Sequence, residues 1–351
     1  MNDTAMPVSY SSPDQPVRHH YPLSVKSDSL GTALGLCMKT SPYILMRLGI
    51  LLGFTFLSLL WLALCGGIAA LFSKNGGGGG VVLFLIGVGI PGGFFAFLKN
   101  YLLDILKAGH IAVLTRLITE GRMPEGVNQV EYGKNIVKAK FLQTNILFVV
   151  NAMVNGVIQA FNRTLDWVAG LIPLPGMEGA MKVLNQIIDR SATYVDETIF
   201  SYNMARNDEN IWRSSMDGLV YYAQNVKPIL KTDVYSVILE YVITFVLFLI
   251  CLVPAYVVSL ILPASVGSFA WILGIVLAGI LKTSVLHPLF LTMVALTFHI
   301  QAHQQPINEQ YAATLDTVSE KFREMKDKAG EWMGQNKPSA EIPPPATAPV
   351  N

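Results

Sequence analysis

Charge is scarce in this sequence. Only 14% of its 351 residues are Asp, Glu, Lys or Arg, while 52% are hydrophobic; a soluble domain carries roughly 25% charge. The shortage is local. No charged residue stands between Arg47 and Lys74, between Lys74 and Lys99, or between Glu240 and Lys282. Each gap exceeds the ~20 apolar residues that cross a hydrocarbon core, and the third has room for two crossings and a turn. Lipid is therefore part of the solvent this chain expects.

Other absences narrow the function. With 25 basic and 24 acidic side chains, the net charge of +1 gives no reason to expect nucleic acid as a partner. The three cysteines, Cys37, Cys65 and Cys251, are far apart and form no CxxC, so they read as small hydrophobes in packed helices. Roughly 40 mostly polar residues precede the first apolar run, which is not the pattern of a signal peptide. The run Gly76 to Gly80 is followed by Val-Val-Leu-Phe, not by the Lys-Ser/Thr of a phosphate-cradling loop, and reads as a flexible turn. His299 and His303 stand four apart, but Ile300 replaces the Glu of a metalloprotease helix and no third ligand is near. They read as surface or interfacial histidines. No Ser-His-Asp order, kinase set or dinucleotide fingerprint is present. The sequence predicts no catalytic centre, no metal and no cofactor.

What remains is a polytopic, all-α membrane protein. Spans are expected near 48–72, 81–98, 236–260 and 264–281 or beyond, forming two hairpins. Four Lys and Arg precede the first span, fourteen lie from Lys99 to Lys231, and five follow in the tail; the first hairpin loop has Lys74 alone and the second has none. The positive-inside rule then places both termini and the middle region on the cytoplasmic side of a cell or inner membrane. Residues 141–162 carry no charge, but Asn151, Asn155, Gln159 and Asn162 give them one polar face. An amphipathic helix on the membrane or against the bundle is expected there, with a re-entrant hairpin through 167–175 as the rival.

The two halves echo each other. Lys39-Thr-Ser-Pro-Tyr43 precedes the first span and Lys231-Thr-Asp-Val-Tyr235 the third; Leu98-Lys99 ends the second and Leu281-Lys282 the fourth. A mixed, His-containing helix follows each. This suggests parallel repeats. The chain divides into a disordered tail 1–28, a first hairpin unit 29–126, an amphipathic region 127–217, a second hairpin unit 218–306, a heptad-like helix 307–335 and a Pro-rich disordered tail 336–351. In the heptad-like helix, Tyr311, Leu315, Val318, Phe322, Met325, Ala329 and Trp332 form one seam, and Glu324 is spaced to pair with Lys328. Trp212, Tyr221, Tyr222 and Tyr235 read as an aromatic belt.

Few residues invite a role. Lys39, Lys99, Lys231 and Lys282 mark membrane edges, their ammonium groups reaching headgroups. Glu240 is the one acidic residue in any span, and reads as interfacial beside Lys231 or as a cation or proton site. Lys282 and His287 are further candidates for transport or ion binding. Pro288 after His287 is expected to start a separate helix. Gly87, Gly89, Gly92 and Gly93 allow close helix approach, and Pro91 and Pro254 interrupt the backbone ladder at mid-membrane.

Gln224-Asn225-Val226-Lys227 through Ile250, followed by a hairpin and a cytoplasmic tail, resembles the closing part of choline-transporter-like solute carriers. The resemblance covers roughly residues 221–299 and implies solute transport. The chain lacks that family's large extracellular loop and its Ser-Ala-rich segment, so no binding residue is carried over. A helix before a short hairpin is similar to inner-membrane sulfate permeases as well. Two functions are in view: an oligomeric transporter or channel for a small solute or ion, and a non-transporting scaffold that recruits cytoplasmic partners. The expected partners are the bilayer and either a second copy or a cytoplasmic protein.

Overall fold

A computed structural model describes residues 11–12, 15–16, 21–73, 79–139, 146–165, 193–206, 210–261, 270–303 and 305–335. Apart from a two-residue antiparallel pairing of Ser11–Ser12 with Gln15–Pro16, the elements among them are helical. Four stretches are long and apolar enough to cross a membrane: Ser41–Phe72, Gly79–Glu120, Val226–Leu260 and Trp271–Ala302. They give the chain the make-up of a multi-pass membrane protein.

Helix α1 (Leu30–Lys39) begins at Ser29, whose Oγ accepts from the Thr32 amide, and leads into α2 (Ser41–Ser73). Helix α3 (Gly79–Glu120) packs along α2, with Trp61 Nε1 donating to the Gly87 carbonyl at 2.8 Å. The sequence suggested a span ending near residue 98 and then a separate mixed helix; the two are one rod. At 1.5 Å per residue its 42 residues run about 63 Å, twice a hydrocarbon layer of ~30 Å. One half can therefore sit in lipid only if the other projects beyond it. Gly121, with φ of 75°, ends this helix in the left-handed conformation that suits glycine.

Helices α4 (Gln129–Val137), α5 (Ile146–Asn162), α6 (193–206) and α7 (Ile211–Gln224) follow, then the long α8 (Val226–Ile261). Helix α9 (Ala270–Leu281) passes through a π turn (Lys282–Leu286) into α10 (His287–Ala302). The separate helix expected at Pro288 is thus joined to the span. Proline removes one donor but suits the first turn of a helix, and the wider π turn absorbs the mismatch. Helices α11 (Glu309–Val318) and α12 (Glu320–Gln335) close the fold.

Each long helix has two characters. In the charge-free stretches large apolar side chains point outward: Phe56, Phe94 and Phe245 are each 62% exposed. Lipid removes the penalty that water would impose on such surface. Beyond those stretches the helices gather into buried cores. One unites α5–α8 and α10–α12 through residues such as Val157, Ile199, Tyr221, Phe298 and Phe322. The other joins α1, the start of α2, the end of α3 and α10 through Ala33, Tyr43, Leu114 and Leu296.

Several local expectations are corrected. Tyr221 and Tyr222 are not belt residues but buried; their hydroxyls donate to the Gln305 carbonyl and to Asn162 Oδ1. Tyr235 is exposed, as are Tyr241, Tyr256 and Trp271. Residues 21–28 pack from Tyr21 onward, where a tail was read, because Tyr21 buries its ring against Tyr202 and His299. The tail helix breaks at Ser319, whose Oγ accepts from the Phe322 amide as an N-cap for α12. Its seam (Leu315, Phe322, Met325, Ala329) is buried on α5 and α7. Glu324 pairs with Lys321 at 2.8 Å, and Lys328 lies over Trp212 instead. Helix α5 packs against α7, α11 and α12, with Asn155 and Gln159 bonded to each other. Residues 74–78 of the glycine-run loop, the second turn at 263–267, the stretch 167–175 and both chain ends (1–10 and 336–351) lie outside the described residues, while Gly79 and Gly80 open α3.

Candidate functional site

The charge-free stretch of each long helix is bounded by polar residues, and those residues face one another. Arg47 on α2, Asn100 and Asp104 on α3, Glu240 on α8 and Lys282 at the π turn line one cavity of about 390 Å³. Lys107 of α3, Thr193 and Glu197 of α6, Thr283 and His287 complete the wall. The periodicity of the helices explains the convergence. Asn100, Asp104 and Lys107 lie at i, i+4 and i+7 on α3, and Asp233, Ser236 and Glu240 at similar spacing on α8.

Glu197 is the hub. It is 2% exposed, with Lys107 Nζ 3.0 Å from one oxygen and His287 Nε2 3.2 Å from both. Burial alone raises a carboxyl, but the charges of Lys107 and His287 outweigh it and hold Glu197 below the usual carboxylate range. Its neighbour Asp196 moves the other way, raised by burial and then by Glu197 itself. The His287 ring stacks on Tyr194 at 5.0 Å. Burial, and then the nearby Glu240, push the Tyr194 hydroxyl up.

Glu240 is fully buried, and Lys282 Nζ stands 3.7 Å from its Oε2, too far for a hydrogen bond. Neither carboxylate oxygen has a hydrogen bond of good geometry among the described residues, though the Tyr194 hydroxyl interacts with the carboxylate. Lys282 also lies over the Tyr241 ring at 4.3 Å. Glu240 does not pair with Lys231, which lies on a different face, over Tyr235.

Arg47 is 4% exposed and donates from Nη1 to the Thr283 carbonyl at 3.3 Å. The π turn frees that carbonyl. The His287 amide, its α-helical partner, bonds to Lys282 O instead, and Pro288 has no N–H.

A second polar network lies deeper. Tyr21 Oη, His299, Ser201 and Thr115 are linked at 2.9, 2.9 and 2.7 Å, and Thr115 Oγ1 donates to the Ile111 carbonyl at 2.7 Å. That last bond fixes the direction of the chain. Thr115 has given up its proton, so Ser201 donates to Thr115, His299 Nε2–H donates to Ser201, and Tyr21 donates to Nδ1. The serine proton points away from the imidazole, the opposite of an activated nucleophile. His299 is buried, not interfacial, and His303 Nε2 bonds to the Tyr21 carbonyl. No group of three metal-ligating side chains occurs among the described residues.

Of the residues singled out in the sequence, Glu240, Lys282 and His287 come together in this cavity. Lys39, Lys99 and Lys231 do not line it. Sequence reasoning missed Arg47, Asp104, Lys107 and Glu197. The helical spacing of Asn100, Asp104 and Lys107 could have shown the α3 stripe, whereas Arg47 and Glu197 had no local signal. No known protein family, curated protein or solved structure matches the chain. The resemblance of residues 221–299 to solute carriers therefore rests on those residues alone.

Proposed function

We propose that this protein is a multi-pass membrane transporter or channel for a small charged solute or ion, with the cavity at Glu240, Lys282 and His287 as its binding site. One observation carries the reading: seven ionisable side chains from α2, α3, α6, α8, the π turn and α10 surround one space where four apolar helices turn polar. Taking ions out of water into a protein interior costs several kcal/mol each before pairing offsets it, so a cluster of buried ionisable groups at the polar ends of apolar helices points to a solute or ion pathway.

In this reading the chain is two parallel hairpin units with both termini cytoplasmic, the cavity opening on the cytoplasmic side. A homo-oligomer would supply the enclosed volume that four spans lack. The scaffold reading is weaker, because the seam of α11 and α12 that would recruit a partner is turned onto α5 and α7.

Reconstitution in liposomes tests the proposal. Uptake of choline, sulfate and monovalent ions should include at least one solute whose flux depends on Glu240. Absence of flux for all of them, with a stable cytoplasmic partner recovered on pull-down, would sink it.

A further inference from the structure

The charges around the cavity are not equally matched. Lys107 and His287 share Glu197, and Lys282 faces Glu240. Arg47 has no such carboxylate. None of the ion pairs among the described residues includes it, and the acids that act on it, Glu197 and Asp104, do so through space. One of its five N–H donors goes to the Thr283 carbonyl. Guanidinium cannot discharge to escape burial, whereas a carboxyl can take up a proton. The buried charge that most needs a counterion in this wall is therefore positive.

We infer that the cavity binds an oxyanion (a carboxylate, phosphate or sulfate group) on the Arg47 guanidinium, with Lys282 as the second cation. The inference rests on the cavity being the solute site and names the class of its ligand. With Nη1 held by Thr283, Nη2 and Nε keep donors, and two parallel N–H donors match the two oxygens of a carboxylate or phosphate. Lys282 follows as a mobile point charge. Its 3.7 Å separation from Glu240 is loose enough for an anion to compete for its ammonium. The π turn ties both parts together, presenting Lys282 and, one residue later, the carbonyl that orients Arg47. The oxyanion has two possible sources at this depth, a soluble solute or the phosphate of an anionic lipid.

The test uses the full chain in phosphatidylcholine nanodiscs, titrated calorimetrically with acetate, phosphate and sulfate against chloride and choline controls. A parallel set of discs contains phosphatidylglycerol. At least one oxyanion should bind more tightly than chloride, and Arg47→Gln should weaken it about tenfold or more, the loss of one charge-assisted contact of about 1.4 kcal/mol. Arg47→Lys, which keeps charge but loses the fork, should weaken it less. Free-anion binding of equal strength in both discs identifies a solute; binding in phosphatidylcholine discs that phosphatidylglycerol suppresses identifies lipid phosphate as the occupant.

Arginine-directed glyoxal labelling of the unmutated protein, mapped by mass spectrometry, covers the case of an unfolded Arg47→Gln. The bound anion should protect Arg47. The inference is overturned if no oxyanion outcompetes chloride in either disc, if Arg47→Gln binds like wild type, if Arg47 is not protected, or if choline alone binds. Flux separates the two readings. Arg47-dependent binding without flux keeps the anion site and removes transport; flux without Arg47-dependent binding does the reverse.

Discussion

The acidic residues in and beside the cavity differ in what their burial does, and that difference can be measured. The Glu240 carboxylate has no well-formed hydrogen bond among the described residues, so replacing it with Gln removes a buried charge while leaving Lys282 and the Tyr194 hydroxyl as the affected neighbours. Glu240→Gln is expected to unfold within about 1 kcal/mol of wild type, while solute uptake in liposomes is lost. A much larger destabilisation, or unchanged uptake, would count against a transport role. Asp196 offers a pH signature. Its carboxyl is raised in the folded protein, by burial first and by Glu197 second. A raised carboxyl contributes stability that is complete below the unfolded value of about 3.9 and is lost as pH rises through the folded value. Wild type should therefore lose stability as pH rises through that range, and Asp196→Asn should flatten this slope. Glu197, held low, has the opposite sign: its contribution disappears only as pH falls through its folded value. Denaturation midpoints across pH for wild type and Asp196→Asn check this, and identical slopes would contradict it.

At the scale of elements, close contacts and caps decide how the helices meet. Gly133 of α4 lies against α3, and a Cβ there would stand 2.6 Å from the Gly109 carbonyl and also meet the Tyr43 hydroxyl. Backbone cannot step aside as a long side chain can. Gly133→Ala should cost about 1–3 kcal/mol, read as lowered thermal stability in detergent. Ser319→Ala removes the N-cap of α12 and should cost about 1 kcal/mol, with the last helix fraying first in hydrogen exchange. Had the tail been one helix, as the seam spacing suggested, Ser319→Ala would be neutral. The spacing could not reveal the break, because α11 and α12 lie on the same neighbours, α5 and α7, and keep the seam facing inward.

For the molecule as a whole, the distribution of Lys and Arg predicts its orientation. Reporter fusions at the two ends should both read as cytoplasmic, and a reporter inserted at residues 74–78 should read on the opposite side. A C-terminal reporter outside would break the even number of crossings. The long helices make the two-part build a physical necessity. A rod of about 63 Å cannot be buried in one hydrocarbon layer, so α3 must carry its Asp104, Lys107 and His110 beyond it. There the polar residues of neighbouring rods can pair, which is where the cavity forms.

The charge-free stretches alone marked four helices long and apolar enough to cross a membrane and roughly where each lies, because an ionised group is costly in hydrocarbon. They also isolated Glu240, Lys282 and His287 as residues at odds with their surroundings. What only the tertiary structure decided is that these three face one space with Arg47, Asp104, Lys107 and Glu197. Hydropathy reports how deep a residue sits along its helix but not which way it faces, and facing is set by packing among helices far apart in sequence. Glu197 lies on α6, outside every candidate span, and Arg47 was read only as a marker of topology. The π turn had no signal beyond Pro288, yet it frees the carbonyl that holds the one cavity cation without a carboxylate partner among the described residues.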